Sequence, residues 1–197
     1  MSDVVVIDSG GANLASLRHA LTRLGVTPTV TRDPARIAAA QRVLLPGVGA
    51  AADAMARLES AGLVATIKEI RAPLLGICLG MQLLFDHSAE GDTFCLGLLR
   101  GRVEPLPATP QLPAPHMGWN TVEPSASDTL LAGLEGRYFY FVHGYGVRPV
   151  AATTATVEYG GAWTAVVRAG NVHGVQFHPE RSGAAGARLL ENFLQCA

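Results

Sequence analysis

Three residue types that could together perform nucleophilic chemistry occur in settings that suit them. Cys78 lies in Gly76-Ile77-Cys78-Leu79-Gly80, after the apolar run 73–75 and before a helix-like stretch, Met81-Gln82-Leu83-Leu84-Phe85. His178, one hundred residues after Cys78, lies in Gln176-Phe177-His178-Pro179-Glu180. Glycines two positions before and after a cysteine suit a sharp strand-to-helix turn, because the nucleophile then takes strained backbone angles and neighbouring chain must pass closely. Such a turn also puts the thiol at a helix N-terminus, where the macrodipole favours the thiolate. In an extended segment His178 and Glu180 project to the same side, so the carboxylate can orient the imidazole. A thiol nucleophile, a base and an orienting acid are thus all present. Taken singly, each has a plainer explanation: a free cysteine is often a small buried hydrophobe, and histidines are often surface groups or satisfied core groups.

Such residues need a scaffold, and the bulk properties allow one. At 197 residues the chain is long enough for one domain, 1–197, with a core that needs no covalent staples. Apolar residues make up 49 % and charged residues 16 %, which excludes a disordered chain. A net charge of −1 provides no electrostatic footprint for nucleic acid or an anionic membrane. Lys68 is the only lysine beside many arginines, a compositional bias and not a basic patch. Cys78, Cys95 and Cys196 are odd in number and widely spaced, which points to a reducing compartment and against a disulfide framework or a metal site. No apolar run approaches the roughly 20 residues that span a bilayer, and the N-terminus does not read as a signal peptide. The expectation is a soluble, cytoplasmic protein.

The first half alternates short apolar strands with amphipathic helices. Val4-Val5-Val6-Ile7 reads as a strand buried on both faces. Asn13 is placed to cap a helix carrying Leu14, Leu17, Leu21 and Leu24 at helical spacing, ending at Gly25. Strands are expected at 29–31, 43–45 and 73–77, with helices near 34–40, 50–60 and 63–70. This alternation implies a mostly parallel sheet flanked by helices, with Cys78 at a carboxyl strand end, where open α/β sheets place their sites. Beyond residue 90, short strands near 103, 119–122, 138–142, 155–159, 165–168 and 172–176 suggest additional antiparallel or mixed pairing. The five prolines between Pro105 and Pro115 suggest an extended loop, and 185–195 reads as a final helix.

The Gly76–Gly80 and Gln176–Glu180 segments, in this order, resemble the class I glutamine amidotransferases, whose Cys-His-Glu triad hydrolyses glutamine to glutamate and ammonia. The resemblance implies that family's flavodoxin-like α/β fold and no cofactor or metal. Cys78 would attack the glutamine amide to give a glutamyl thioester, His178 would move the proton and Glu180 would hold the imidazole. The Leu79 N–H would be one oxyanion donor. Pro46-Gly47-Val48-Gly49 reads by itself as a tight turn or as a source of unusual amide orientations; the resemblance makes Gly47, Val48 and Gly49 the second oxyanion element. Gln82 and Glu90, otherwise ordinary surface residues, match positions that bind the amino group of L-glutamine. His143, Gly144 and Tyr145 match further substrate-binding positions.

Three more strings, Ile7-Asp8-Ser9-Gly10-Gly11-Ala12-Asn13-Leu14, Pro115-His116-Met117-Gly118-Trp119-Asn120 and Tyr140-Phe141-Val142-His143-Gly144-Tyr145, resemble one subfamily. It comprises the glutaminase subunits of imidazole glycerol phosphate synthases of histidine biosynthesis. That likeness implies a heterodimer with a cyclase subunit of (β/α)₈-barrel form that consumes the ammonia. Asn13, Trp119, Asn120, Tyr140 and Arg181 would lie at that interface. Ala12, Gly144 and Arg181 depart from the family's usual Gly, Ser or Thr, and Lys; arginine keeps the charge but not the geometry. A glutaminase of pyridoxal phosphate synthesis and a non-catalytic scaffold are the alternatives. The two aromatic strings argue against the first, and the intact Cys78, His178 and Glu180 against the second.

Overall fold

The computed structural model describes residues 3–10, 14–125 and 127–196, so Asn13 lies outside the described residues. Its elements run β1 (Val4–Ile7), α1 (Leu14–Arg23), β2 (Thr29–Thr31), α2 (Pro34–Ala38), β3 (Arg42–Gly47), α3 (Ala51–Ser60) and α4 (Leu63–Glu69). Then come β4 (Leu74–Cys78), α5 (Leu79–Gln82), β5 (His87–Ser88), β6 (Thr93–Phe94), β7 (Arg102–Pro105), β8 (His116–Thr121) and β9 (Glu123–Pro124). The chain closes with β10 (Tyr138–His143), β11 (Tyr145–Val147), β12 (Thr153–Glu158), β13 (Ala162–Ala169), β14 (Val172–Val175) and α6 (Gly183–Gln195).

The main sheet has eight strands in the order β2-β1-β3-β4-β14-β13-β12-β9. From β2 to β14 the pairing is parallel; from β14 to β9 it is antiparallel. The parallel part follows the 2-1-3-4-5 order of flavodoxin-like sheets, with β14 as fifth strand. Two small sheets add to it, β8 paired antiparallel with β10, and β11-β7-β5-β6.

The apolar runs of the first half are explained by what covers the sheet. Val4, Val6, Leu44, Leu75 and Ile77 face one core with Leu17 and Leu21 of α1 and Leu189 and Phe193 of α6. Val5, Ile7, Val43, Leu45 and Leu74 face the other, with Leu58 of α3 and Ile67 of α4. A strand with helices on both faces leaves no side for polar residues to alternate onto. The β8–β10 ribbon, by contrast, alternates: Phe139 and Phe141 are fully buried, with Phe139 stacked on Phe177 at 4.1 Å, while Met117, Trp119 and Tyr138 are exposed. No helix among the described residues is long and apolar enough to cross a membrane.

Candidate active site

Cys78 ends β4 with φ 54° and ψ −115°, the left-handed side of backbone space that a residue with a Cβ rarely enters. What permits this elbow is the absence of side chains around it. A Cβ on Gly80 would stand 1.8 Å from the Leu45 carbonyl oxygen, and one on Gly76 would stand 2.8 Å from the Gly80 oxygen. The expected helix after Cys78 proves short. α5 is a single turn, Leu79–Gln82, continued by tighter bonds from Leu84 N to Met81 O and from Phe85 N to Gln82 O. One turn has little macrodipole, so support for a thiolate has to come from side chains instead.

His178 follows β14 by three residues, and its backbone is tied to β10 by the bond from His178 N to Tyr140 O, 2.9 Å. Its Nδ1 lies 2.8 Å from Glu180 Oε1, and both side chains are almost completely buried. The pairing joins the two residues that the sequence singles out, but the backbone between them is not the extended segment expected. Glu180 lies on a 3₁₀ turn, Pro179–Arg181, and Ser182 Oγ closes it by donating to His178 O at 2.7 Å. His178 Nε2 is buried without a hydrogen bond of standard geometry, yet it faces the Cys78 sulfur closely enough to feel its charge. Burial pushes the imidazole pKa down, but Cys78 and Glu180 outweigh it and raise the pKa to about 10. The ring therefore keeps its second proton through neutral pH.

These groups open on a cleft of about 320 Å³, whose wall includes Val48, Gly49, Cys78, Leu79, Gln82 and Glu90. His143, Gly144, Tyr145, His178, Glu180 and Arg181 form the rest of it together with Pro115 and Val142, two lining residues to which the sequence assigned no role. Gly47 does not line this cleft, although it stands beside Val48, His178 and Glu180 just behind it. β3 extends through Gly47 to pair with Cys78, rather than stopping at residue 45, and a Cβ there would meet Gly80 N at 2.6 Å. Its absent side chain serves packing behind the elbow. Gly49 takes φ +92° with open space around it, so only backbone conformation requires glycine there.

Gln82 is buried, with both amide hydrogens engaged: Nε2 donates to Tyr145 O at 2.8 Å and to Gln176 Oε1 at 2.9 Å. Its oxygen alone remains to meet a ligand, and it can only accept. Glu90 sits beyond β5 on a 3₁₀ turn, where Oε2 accepts from Ala51 N at 2.8 Å. It thereby caps α3, whose N-cap Ala50 has no side-chain acceptor of its own. His143 Nδ1 is 2.8 Å from Tyr145 O, and its Nε2 is 3.1 Å from His116 Nδ1. Burial lowers both histidines to about 4, so the pair is neutral and shares one proton across that contact. Gly144 has room for a Cβ and an ordinary φ.

The expected interface residues lie in different settings. Trp119 is exposed and meets the Tyr140 ring at 5.9 Å, and the Arg181 guanidinium lies 5.3 Å from that ring at the cleft mouth. Asn120 points its amide to the other side, donating to Glu158 O at 3.0 Å. Two residues that sequence reasoning left without a role stand close to the triad. Ser182, inside the Pro179–Ser182 turn, carries no periodic signal. Gln176 belongs to the His178 motif, and a lone polar side chain at an apolar strand end was the available hint.

The model of the family described as "Glutamine amidotransferase class-I" matches residues 5–196, and the chain belongs to that class. Solved structures agree at the level of fold. One is described as a glutamine amidotransferase (TM-score 0.77, 21 % identity, covering 98 % of this chain and 97 % of that one). Another is a glutamine amidotransferase from Thermotoga maritima (TM-score 0.63, 17 % identity, covering 98 % and 82 %). Within the class, curated relatives named "Imidazole glycerol phosphate synthase subunit HisH" are far more similar. That of Xanthomonas oryzae pv. oryzae (strain MAFF 311018) is 55 % identical over 196 residues, 99 % of this chain and 98 % of the relative. That of Xylella fastidiosa (strain Temecula1 / ATCC 700964) is 53 % identical with the same coverage, and the chain belongs to this HisH family.

Proposed function

We propose that this chain is the glutaminase subunit of an imidazole glycerol phosphate synthase of L-histidine biosynthesis, hydrolysing L-glutamine to glutamate and ammonia in the cytoplasm. The observation that carries the reading is Cys78 on a strained elbow, facing a buried His178–Glu180 pair inside a cleft of substrate size. Full-length similarity to the HisH subunits supplies the specific pathway step.

The Cys78 sulfur attacks the side-chain carbonyl of glutamine, and the protonated His178 delivers its proton to the departing ammonia. Water then splits the thioester, with the now neutral imidazole as base. Glu180 keeps Nδ1–H engaged, so Nε2 always faces the sulfur. The Leu79 N–H and an N–H from the Val48–Gly49 segment receive the oxyanion. Gln82 Oε1 and the Glu90 carboxylate suit the substrate's ammonium group, because both can only accept. His143, Gly144 and Tyr145 form the opposite wall.

The ammonia passes to a cyclase subunit of (β/α)₈-barrel form, which makes imidazole glycerol phosphate and aminoimidazole carboxamide ribonucleotide. Trp119, Tyr140 and Arg181, beside the cleft mouth, form the docking face. An exposed tryptophan beside a half-buried tyrosine and an arginine matches the composition of interface centres. The test is steady-state glutamate production by the chain alone and with its nucleotide-bound cyclase partner. Marked stimulation by the partner supports the reading, and equal turnover in both conditions rejects it.

A further inference from the structure

A chain of buried hydrogen bonds runs through the molecule and ends at the Cys78 sulfur, and its direction is forced. The Tyr145 carbonyl can only accept, so Gln82 must turn its NH₂ toward it, and that NH₂ also meets Gln176, at 2.9 Å. Gln176 must then present Oε1 to Gln82, which leaves its own NH₂ on the other side. That NH₂ lies 3.8 Å from Cys78 Sγ, within the reach of an N–H···S contact. Gln176 is fully buried, so no water competes for this donor. His143 braces the far end by donating from Nδ1 to the same Tyr145 carbonyl.

We infer that Gln176 is a further catalytic residue: its amide N–H donates to the Cys78 sulfur and favours the thiolate over the thiol. A donor gains more from a charged acceptor than from a neutral one. The one-turn helix brings little dipole, and the nearby backbone offers the Val142 carbonyl, which accepts from the thiol at 3.9 Å, so support for the thiolate falls to the aimed Gln176 amide. The opposite orientation would turn a carbonyl oxygen toward the sulfur and favour the thiol; the Tyr145 carbonyl prevents it. Gln82 therefore has two tasks, offering its oxygen to the cleft and fixing the sense of Gln176. The inference rests on Cys78 being the nucleophile.

The test uses the full chain and iodoacetamide, a small electrophile that needs no glutamine site, with peptide mass spectrometry following Cys78 alkylation against pH. Gln176→Leu removes the donor and adds no charge, so it reads the amide itself; Gln176→Glu keeps the size and the acceptor for Gln82 but sets a carboxylate charge beside the sulfur in place of the donor. The other ionisable groups facing the cleft, His178, Glu180, His143, Glu90 and Arg181, are the same in every variant. The alkylation midpoint should rise by about one pH unit in Gln176→Leu, the equivalent of a tenfold change in equilibrium, and by more in Gln176→Glu. Glutaminase turnover at neutral pH should fall about as much. A purely structural role would lower the melting temperature and leave the midpoint in place. A midpoint coinciding with the wild type in folded Gln176→Leu overturns the inference. Wild-type Cys78 reacting no faster than Cys95 and Cys196 would instead refute the nucleophile itself, and with it this inference.

Discussion

Replacing Gly80 by alanine adds one carbon where the structure has no space for it. The new Cβ would stand 1.8 Å from the Leu45 carbonyl oxygen and 2.8 Å from the Leu45 carbonyl carbon. A comfortable carbon–oxygen approach is about 3.3 Å, so roughly 1.5 Å of overlap must be relieved. Both sides are backbone, so no rotamer change can relieve it; either α5 lifts from β3 or β3 bends away. Each movement displaces the elbow, because Cys78 lies two residues before Gly80 and pairs with Gly47 of β3. Overpacking of this kind costs about 1–3 kcal/mol of stability. A displacement near 1 Å at the reacting atom costs about a hundredfold in rate. We expect a folded protein with a melting temperature several degrees lower and partner-stimulated glutamate production reduced at least about a hundredfold. Steady-state kinetics and thermal unfolding on the same preparation check both. Wild-type turnover at wild-type stability would refute the reasoning that glycine at this position is what places the sulfur.

Three further outcomes rest on individual groups. Gly49→Ala meets no neighbouring atom, but its φ of +92° disfavours any side chain, so stimulated turnover should fall about ten- to a hundredfold with little change in KM; equal loss in kcat and KM would contradict it. Glutamine analogues with an electrophilic δ-carbon should label Cys78 over Cys95 and Cys196, since burial pushes the other two thiols up, Cys95 to about 11; peptide mapping decides. His116 and His143, each lowered to about 4, stay neutral in the fold while the unfolded chain takes up protons near 6.5. Their contribution is present above 6.5 and is lost as pH falls towards 4, a loss on the order of a few kcal/mol. Below pH 6.5 His178 is protonated in both states and adds no slope, so melting temperature should drop between pH 6.5 and 4.5, and less so in His116→Phe.

Much of the scaffold could be read from residue pattern, for reasons that also set the limits. β1, β3 and β4 were readable because strands covered on both faces must be apolar throughout. The return of β14 to pair with β4 depends on residues a hundred positions apart, to which local pattern is blind. The length of α5 was not readable either: residues 81–85 are all buried, so no polar face marks where the helix stops. Cys78, His178 and Glu180 stood out through residue type and spacing, although Glu180 reaches His178 from a turn and not along a strand. Glu90 was placed only by resemblance; its capping of α3 arises because Ala50 offers no acceptor and the partner comes from far along the chain. Asn120 lies on the ribbon with Trp119, but alternation turns its amide to the opposite face, where it donates to Glu158 O.

The central claim is that Cys78 performs the glutamine chemistry of this subunit. Glutamate release from L-glutamine by the Cys78→Ala protein, assembled with its nucleotide-bound cyclase partner, tests it most directly. The substitution removes the nucleophile at a buried site and leaves His178 and Glu180 paired. Glutamate should fall to background while the same complex still cyclises when supplied with ammonium at high pH. Glutamate release at a substantial fraction of the wild-type rate would contradict the account.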